Sequence, residues 1–404
     1  MKIGLLKETK TPVDNRVALA PEQVAQLNKE YTDSEIVVQS SDIRAFTDDE
    51  YREVGIKVVE DVSDCDVLFG IKEARIDTLI PNKHYVFFGH IAKMQEYNRP
   101  LLQAFINKGL TFSDYEYLVD ENNERVCAFG WWAGVVGVYY TLRGYSLRKV
   151  RNILPKPNIN FTLALMREIV STAKMPKVKI LITGNGRVAQ GATYLLRECR
   201  ALELTKEQYL SDEPVNRLSF YRATVEDLVK RKDGQPYTRS DFRKNPALYE
   251  SDFMKFAKRT DIFIPCHYWD PHAPVYLEQD DFFKYQLPIK VIGDISCDIC
   301  GSVKSTIRSS THADPYYDFN PFTMKEELAF SSSKNITVMA VDTCPNALPR
   351  DASRYFGEML IPHVFRPLLE GQADNSSVIT GATIVKDGKL TEKFSYLSAF
   401  AKGI

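Results

Sequence analysis

In the first 125 residues, apolar runs repeatedly give way to ionisable side chains. Lys10 and Arg16 follow the run "KIGLL" within "KETKTPVDNRVALAP". Lys72 and Glu73 follow "DVLFGI", His90 ends "YVFFGH", Glu116 ends "TFSDYE", and Arg125 precedes "VCAF". Taken singly, each charge is an ordinary loop residue and His90 an ordinary hydrogen-bonded core histidine. Together they offer three kinds of chemistry. Arginine and lysine clamp carboxylates, arginine through a bidentate fork. A lysine beside another cation in a cleft has its pKa lowered and can act as a base. A histidine moves protons near neutral pH. With a nicotinamide cofactor, this set suits oxidation or reductive amination of an amino acid that carries several carboxylates.

A second constellation lies in "ITGNGRVAQGA", residues 182–192. Gly184, Gly186 and Ala189 fit the loose dinucleotide fingerprint G-x-G-x-x-A, with an apolar run before it and a helical pattern after it. In that context the glycines allow a tight turn and a close approach. The amides of Arg187, Val188 and Ala189, at the helix start, can then face a pyrophosphate. The acid expected about 20 positions later to hold ribose hydroxyls is Glu203 in "ALELTKE". Arg200 and Lys206 flank it and suit a 2′-phosphate equally well, so NAD and NADP both fit.

Strand ends must carry the first set. "KIGLLKE", "EIVVQS", "DVLFGIK", "YVFFGH" and "LTFSDYE" alternate with helical patterns such as "PEQVAQLNKEY" and "YNRPLLQAFINKG". Such alternation predicts a mostly parallel sheet covered on both faces, with ligands in the crevice beyond the strand carboxyl ends. Ala133, Gly134 and Gly137 in "AFGWWAGVVGVYYTLRGYSLRK" predict a long, closely packed helix. The polar stretch 151–160 leads into the fingerprint domain, and residues 201–258 read as a polar insertion decorating it. "GATIVKDGKLT" reads as a hairpin turning at Asp387-Gly388.

The fold expectation is α/β: two Rossmann-like domains with parallel sheets, the dinucleotide-binding domain inserted into a discontinuous substrate domain. Its parts are residues 1–135, 136–343 and 344–404. The 404 residues suffice for two cores. A net charge of −1 without long runs of one sign argues against nucleic acid or a polybasic membrane surface. The N-terminus reads as a first strand rather than a signal peptide, and no apolar stretch nears the roughly 20 residues that span a bilayer. Seven scattered cysteines suit a reducing cytoplasm. Cys297 and Cys300 in "SCDIC" are one C-x-x-C without the further ligands zinc needs, so they read as structural thiols and no metal is expected.

These residues resemble the alanine dehydrogenase and transhydrogenase superfamily. The chain is most similar to its lysine branch, the lysine-forming saccharopine dehydrogenases and the lysine-ketoglutarate reductase domain of the bifunctional aminoadipic semialdehyde synthases. The likeness runs through "FFGHIAKMQEYN", "DYEYLVDENNERVCAFGWWAGVVG", "GNGRVAQGA", "GDISCDICGS", "VDTCPNALPRDASRYFGEML" and "VITGATIVKDGKLTEKFSYL". It implies that the N-terminal segment and the C-terminal tail form the substrate domain. Lys72 and His90 would then be the acid–base pair, tuned by Glu73 and Glu116. Lys10, Arg16 and Arg125 would hold substrate carboxylates, and Phe129 would close the pocket. Asp298 would sit at the interdomain cleft, and Asp342 and Pro345 would touch the cofactor. The implied reaction joins lysine and 2-oxoglutarate into saccharopine, or reverses this, with NAD or NADP. The partners are small molecules, and a homodimer is an allowed assembly. Two departures mark this chain. The segment from Lys10 to Arg16 is one residue longer than the family spacing, and His267 in "IPCHYW" stands where relatives carry an uncharged residue.

Overall fold

The computed structural model describes residues 1–149 and 153–404. The first two residues of the 151–160 stretch lie outside the described residues. The chain divides into two compact units, Met1–Phe129 with Pro349–Ile404, and Gly130–Leu348.

The first unit begins with β1 (Lys2–Leu5), β2 (Glu35–Gln39), β3 (Val58–Val59), β4 (Val67–Lys72), β5 (His84–Phe88) and β6 (Thr111–Asp114). The second unit holds β7 (Lys179–Thr183), β8 (Leu202–Glu203), β9 (Ser219–Ala223), β10 (Val229–Arg231) and β11 (Tyr249–Ser251). It continues with β12 (Ile262–Pro265), β13 (Val291–Gly293), β14 (Tyr316–Asn320), β15 (Lys325–Glu327) and β16 (Ile336–Met339). The chain returns to the first unit as β17 (Thr383–Lys386) and β18 (Lys389–Leu390), the two arms of the Asp387-Gly388 hairpin.

Each unit is built on an eight-stranded sheet. The first has the order β18-β17-β6-β5-β4-β1-β2-β3, parallel from β6 to β3 and closed by antiparallel β17. The second has the order β15-β14-β16-β13-β12-β7-β9-β8, parallel from β16 to β8. Parallel strands are covered on both faces, which is why β7 is buried along its whole length, with the apolar Ile180, Leu181 and Ile182 at its centre. Strand order reverses at β4/β1 in one sheet and at β12/β7 in the other, and ligands of such folds bind beside that reversal.

Two expectations need correction. The units meet at 129/130 and 348/349 rather than at 135/136 and 343/344. The first junction moves because helix α1 (Gly130–Arg148) belongs wholly to the second unit, packed on helix α2 (Arg187–Glu198). The two helices touch backbone to backbone: a Cβ on Gly134 would lie 2.0 Å from the carbonyl oxygen of Val188, and one on Gly191 would lie 1.9 Å from that of Trp131. Secondly, residues 201–258 are not all decoration. β9, at their centre, pairs with β7 from Lys179↔Ser219 to Thr183↔Ala223 and is the sheet's next strand. What projects is the hairpin β10–β11 with the short helix α3 (Arg239–Lys244) between its arms.

Candidate active site

In the first unit the predicted residues gather at strand ends on either side of the β4/β1 reversal. Lys72 ends β4 and is half-buried. Burial, and then the charge of Arg16, lowers its ammonium pKa, while Asp14 and Glu73 oppose the shift. Lys10 forms an ion pair with Glu73, so Glu73 acts on Lys72 through its field rather than through a bond. Arg16 is buried, and Asp14 grips its fork: Nε donates to Oδ1 at 2.9 Å and Nη2 to Oδ2 at 2.5 Å. Burial opposes the ionisation of Asp14, but Arg16 outweighs it and holds the carboxyl below the usual range. The Arg16 guanidinium lies 4.2 Å from the centre of the Phe129 ring, which stacks on Phe356 at 4.4 Å. A carboxylate bound by Arg16 must therefore use the outer edge of its guanidinium.

His90 stands just beyond β5, and its ring meets Glu116, with Nδ1 3.0 Å from Oε2. Lys93 Nζ reaches the other Glu116 oxygen at 3.1 Å. Burial works against the Glu116 charge, yet the bonds from His90 and Lys93 outweigh it and hold the carboxyl down at about 2. Phe88 lies between this group and the other charges. Its ring centre is 6.2 Å from that of His90, 6.1 Å from that of Phe129, and 6.0 Å from the Arg125 guanidinium.

Three carboxylates escaped the sequence reading. Glu8, Asp14 and Asp114 are buried among these groups. Asp114 ends β6 and Glu8 lies three residues beyond β1, each two residues before a residue already singled out. Burial and the Asp14 charge push Glu8 up to about 8, and burial raises Asp114 to about 6.

The second unit holds a cleft of about 760 Å³ beyond the ends of β7, β9, β12 and β13. Gly184, Gly186, Arg187 and Val188 line it, with Glu226, His267 and Asp298. Gly184 has φ +98°, and a Cβ there would come within 2.9 Å of the Cys266 carbonyl oxygen. At Gly186 an added Cβ meets nothing within 4 Å, so the protein itself does not use this space. A dinucleotide whose pyrophosphate lies over the start of α2 would use it, and the residues present fit that group. Ala189 is fully buried in the first turn and packs the helix rather than facing the cleft.

Three predicted cofactor residues stand elsewhere. Glu203 lies on β8, one strand beyond β9, and pairs with Arg197 at 2.8 Å. The place it was meant to fill, after β9, belongs to Thr224, Val225 and Glu226. Asp342 and Pro345 follow β16, three strands from β7 in the sheet, and do not line this cleft. Arg239 and Arg243 of α3 do line it, on an element that the sequence pattern did not reveal.

His267 now has a role in the fold. It is buried, with Nδ1 2.6 Å from Thr183 Oγ1 and Nε2 2.8 Å from Ser302 Oγ, and burial lowers its imidazole to about 4. A neutral ring thus ties the end of β7 to the loop beyond β13. Cys297 is half-buried, its thiol donating to the Asp294 carbonyl oxygen at 3.1 Å, and Cys300 is exposed. None of the seven cysteines forms a disulfide. Among the described residues, no group of three or more His, Cys, Asp or Glu is placed to hold a metal, and no helix is long and apolar enough to cross a membrane.

Comparison with known proteins fits this arrangement. Residues 4–136 match the model of the alanine dehydrogenase/PNT N-terminal domain. The alpha-aminoadipic semialdehyde synthase of Arabidopsis thaliana is 28% identical over 99% of this chain and 41% of its own length. The chain spans less than half of the synthases it matches, 41–47% of their length. The saccharopine dehydrogenase (NAD(+), L-lysine-forming) of Candida glabrata is 27% identical over 89% of this chain and 90% of its own. Among solved structures, an L-alanine dehydrogenase superposes with a TM-score of 0.66 at 17% identity, covering 99% of this chain and all of the other, a likeness of fold. The chain is thus similar over most of its length to lysine-forming saccharopine dehydrogenases and, over less than half of theirs, to aminoadipic semialdehyde synthases, and its fold is that of a solved L-alanine dehydrogenase.

Proposed function

We propose that the chain is an NAD(P)-dependent oxidoreductase that interconverts saccharopine with L-lysine and 2-oxoglutarate. The observation that carries this reading is the concentration of cations at the strand ends of the first unit. Lys10, Arg16, Lys72, Lys93 and Arg125 stand there, Lys10, Arg16 and Lys93 each already beside a carboxylate, and saccharopine brings three carboxylates of its own. The names of the relatives support the same choice.

In the synthetic direction the lysine ε-amine attacks the keto carbon, water leaves, and the imine is reduced. Lys72, with its lowered pKa, takes a proton from the incoming ammonium. His90, bonded to Glu116, returns a proton to the departing oxygen. Arg16 and Arg125 hold carboxylates, and Phe129 packs beside them. The bound dinucleotide supplies hydride in this direction and accepts it in the other. Gly184, Gly186, Arg187 and Val188 would hold its pyrophosphate. Glu226 can accept bonds from ribose hydroxyls, whereas Arg239 and Arg243 can hold a 2′-phosphate. The absence of disulfides is in keeping with a cytoplasmic location, and the proposed partners are these small molecules, with a homodimer as the proposed assembly.

A matrix of amino acids against keto acids, followed through NADH and NADPH oxidation, tests the proposal. Lysine with 2-oxoglutarate should stand well above every other pair, with saccharopine as product. A preference for ammonia with pyruvate, or no oxidation by any pair, would overturn it.

A further inference from the structure

β4 and β5, which end at Lys72 and His90, are neighbours in the sheet, flanked by β1 on one side and β6 on the other. Each flanking strand is followed by, or ends in, a buried carboxylate turned onto its neighbour's end. On β4 the ladder is irregular: Phe69 faces Val86 and Lys72 faces Phe88, so Gly70 and Ile71 together oppose Phe87. Pairing with β1 stops at Leu5↔Phe69. The next amides go to Glu8 instead, Ile71 N donating to Oε1 at 2.6 Å and Lys72 N to Oε2 at 2.9 Å.

On β5 the pattern repeats. Gly89 N and His90 N donate to Asp114 Oδ2 at 3.2 and 3.0 Å, and Glu116 N donates to Oδ1 at 2.9 Å. His90 has φ +54°, a left-handed conformation that costs free energy in a residue with a side chain and persists only where its surroundings impose it. Asp114 therefore holds both residues of the His90–Glu116 pair by their backbones.

We propose that Glu8 and Asp114 are positioning residues for the reaction, paired carboxylate clamps that fix the ends of β4 and β5 and so aim Lys72 and His90. The inference rests on the acid–base roles given above. Any acceptor would satisfy these buried amides. A carboxylate is the costly choice, since burial raises both acids, and two neighbouring strands make the same choice where the chemistry is placed.

Glu8→Gln and Asp114→Asn keep shape but turn an NH2 group toward one backbone N–H, so each loosens its clamp without emptying the core. Each should lower kcat at least tenfold, leave KM for the dinucleotide within about twofold, and shift one limb of the pH–rate profile. The deciding measurement is the double-mutant cycle. In a Lys72→Met background Glu8→Gln should cause little further loss, and likewise Asp114→Asn in a His90→Gln background. Unchanged kcat in folded single variants, or losses that multiply in full in the double variants, would overturn the proposal. An inactive wild type would overturn the functional reading instead. Amide exchange then decides on the clamps themselves: exchange at Ile71, Lys72, Gly89 and His90 that is slow and accelerated by the amide variants supports them, and exchange that is fast in the wild type overturns them.

Discussion

Glu116 meets His90 at Nδ1, and a carboxylate accepting from that nitrogen leaves Nε2 as the atom that exchanges protons with substrate. Glu116→Gln removes the charged acceptor that orients the ring and should lower kcat while leaving dinucleotide affinity unchanged, as measured by steady-state kinetics and a binding titration. An unchanged kcat would detach Glu116 from the reaction. Stability carries a second signature. Because the folded carboxyl is held at about 2, below its ordinary 4.5, its contribution is full above about pH 4.5 and is lost as pH falls toward 2. The thermal midpoints of wild type and Glu116→Gln should therefore converge between pH 5 and pH 2. Lys72 is the complementary case, its ammonium made easier to deprotonate by burial and by Arg16. Removing a group that transfers protons usually costs about 10²–10⁴-fold in rate. Lys72→Met should lose turnover on that scale and keep its dinucleotide affinity, as checked by steady-state kinetics beside a binding titration.

Among the elements, the turn from β7 into α2 has the clearest division of labour. Gly184 is required by the protein, through its positive φ and the nearby Cys266 carbonyl, whereas Gly186 faces open space. Gly186→Val should consequently fold normally and lose dinucleotide binding, because the branched side chain fills room that the pyrophosphate needs. Wild-type affinity in a folded Gly186→Val variant would remove this turn from the cofactor site. That turn was legible in the sequence because strand, glycines and helix are contiguous. The ends of β4 and β5 were legible for a similar reason: a buried parallel strand is a largely apolar run, and the first ionisable residue after it marks its end. β9 was not, because "SFYRA" is a five-residue run broken by Arg222 inside a charged region. The ribose acid was placed by its spacing of about 20 residues from the glycines, which reaches Glu203 on β8 rather than the end of β9. Arg239 and Arg243 were missed because a short helix within a small hairpin has too few turns to show a period. Glu8 and Asp114 were hidden differently: their importance lies in backbone amides that no side-chain pattern reports.

In the whole molecule, the two units divide the chemistry. The first, assembled from residues 1–129 and 349–404, carries the ionisable groups at its sheet reversal, and the second, residues 130–348, carries at its own the cleft proposed for the dinucleotide. The discontinuity of the first unit follows from β17, which pairs with β6 through Thr383↔Ser113 and so brings the tail back to the sheet that bears Glu116. The proposed reaction draws on both units, with the proposed acid–base groups in the first and the proposed dinucleotide cleft in the second. Isotope transfer reads the result of that division directly. Lysine and 2-oxoglutarate are incubated with NADH or NADPH deuterated on the transferring face at C4 of the nicotinamide, and the product is analysed by mass spectrometry. The expected result is saccharopine bearing one deuterium on the carbon that was the keto carbon of 2-oxoglutarate, formed in step with cofactor oxidation. Cofactor oxidation without deuterated saccharopine, or label appearing instead in alanine when pyruvate and ammonia are supplied and lysine is idle, would contradict it.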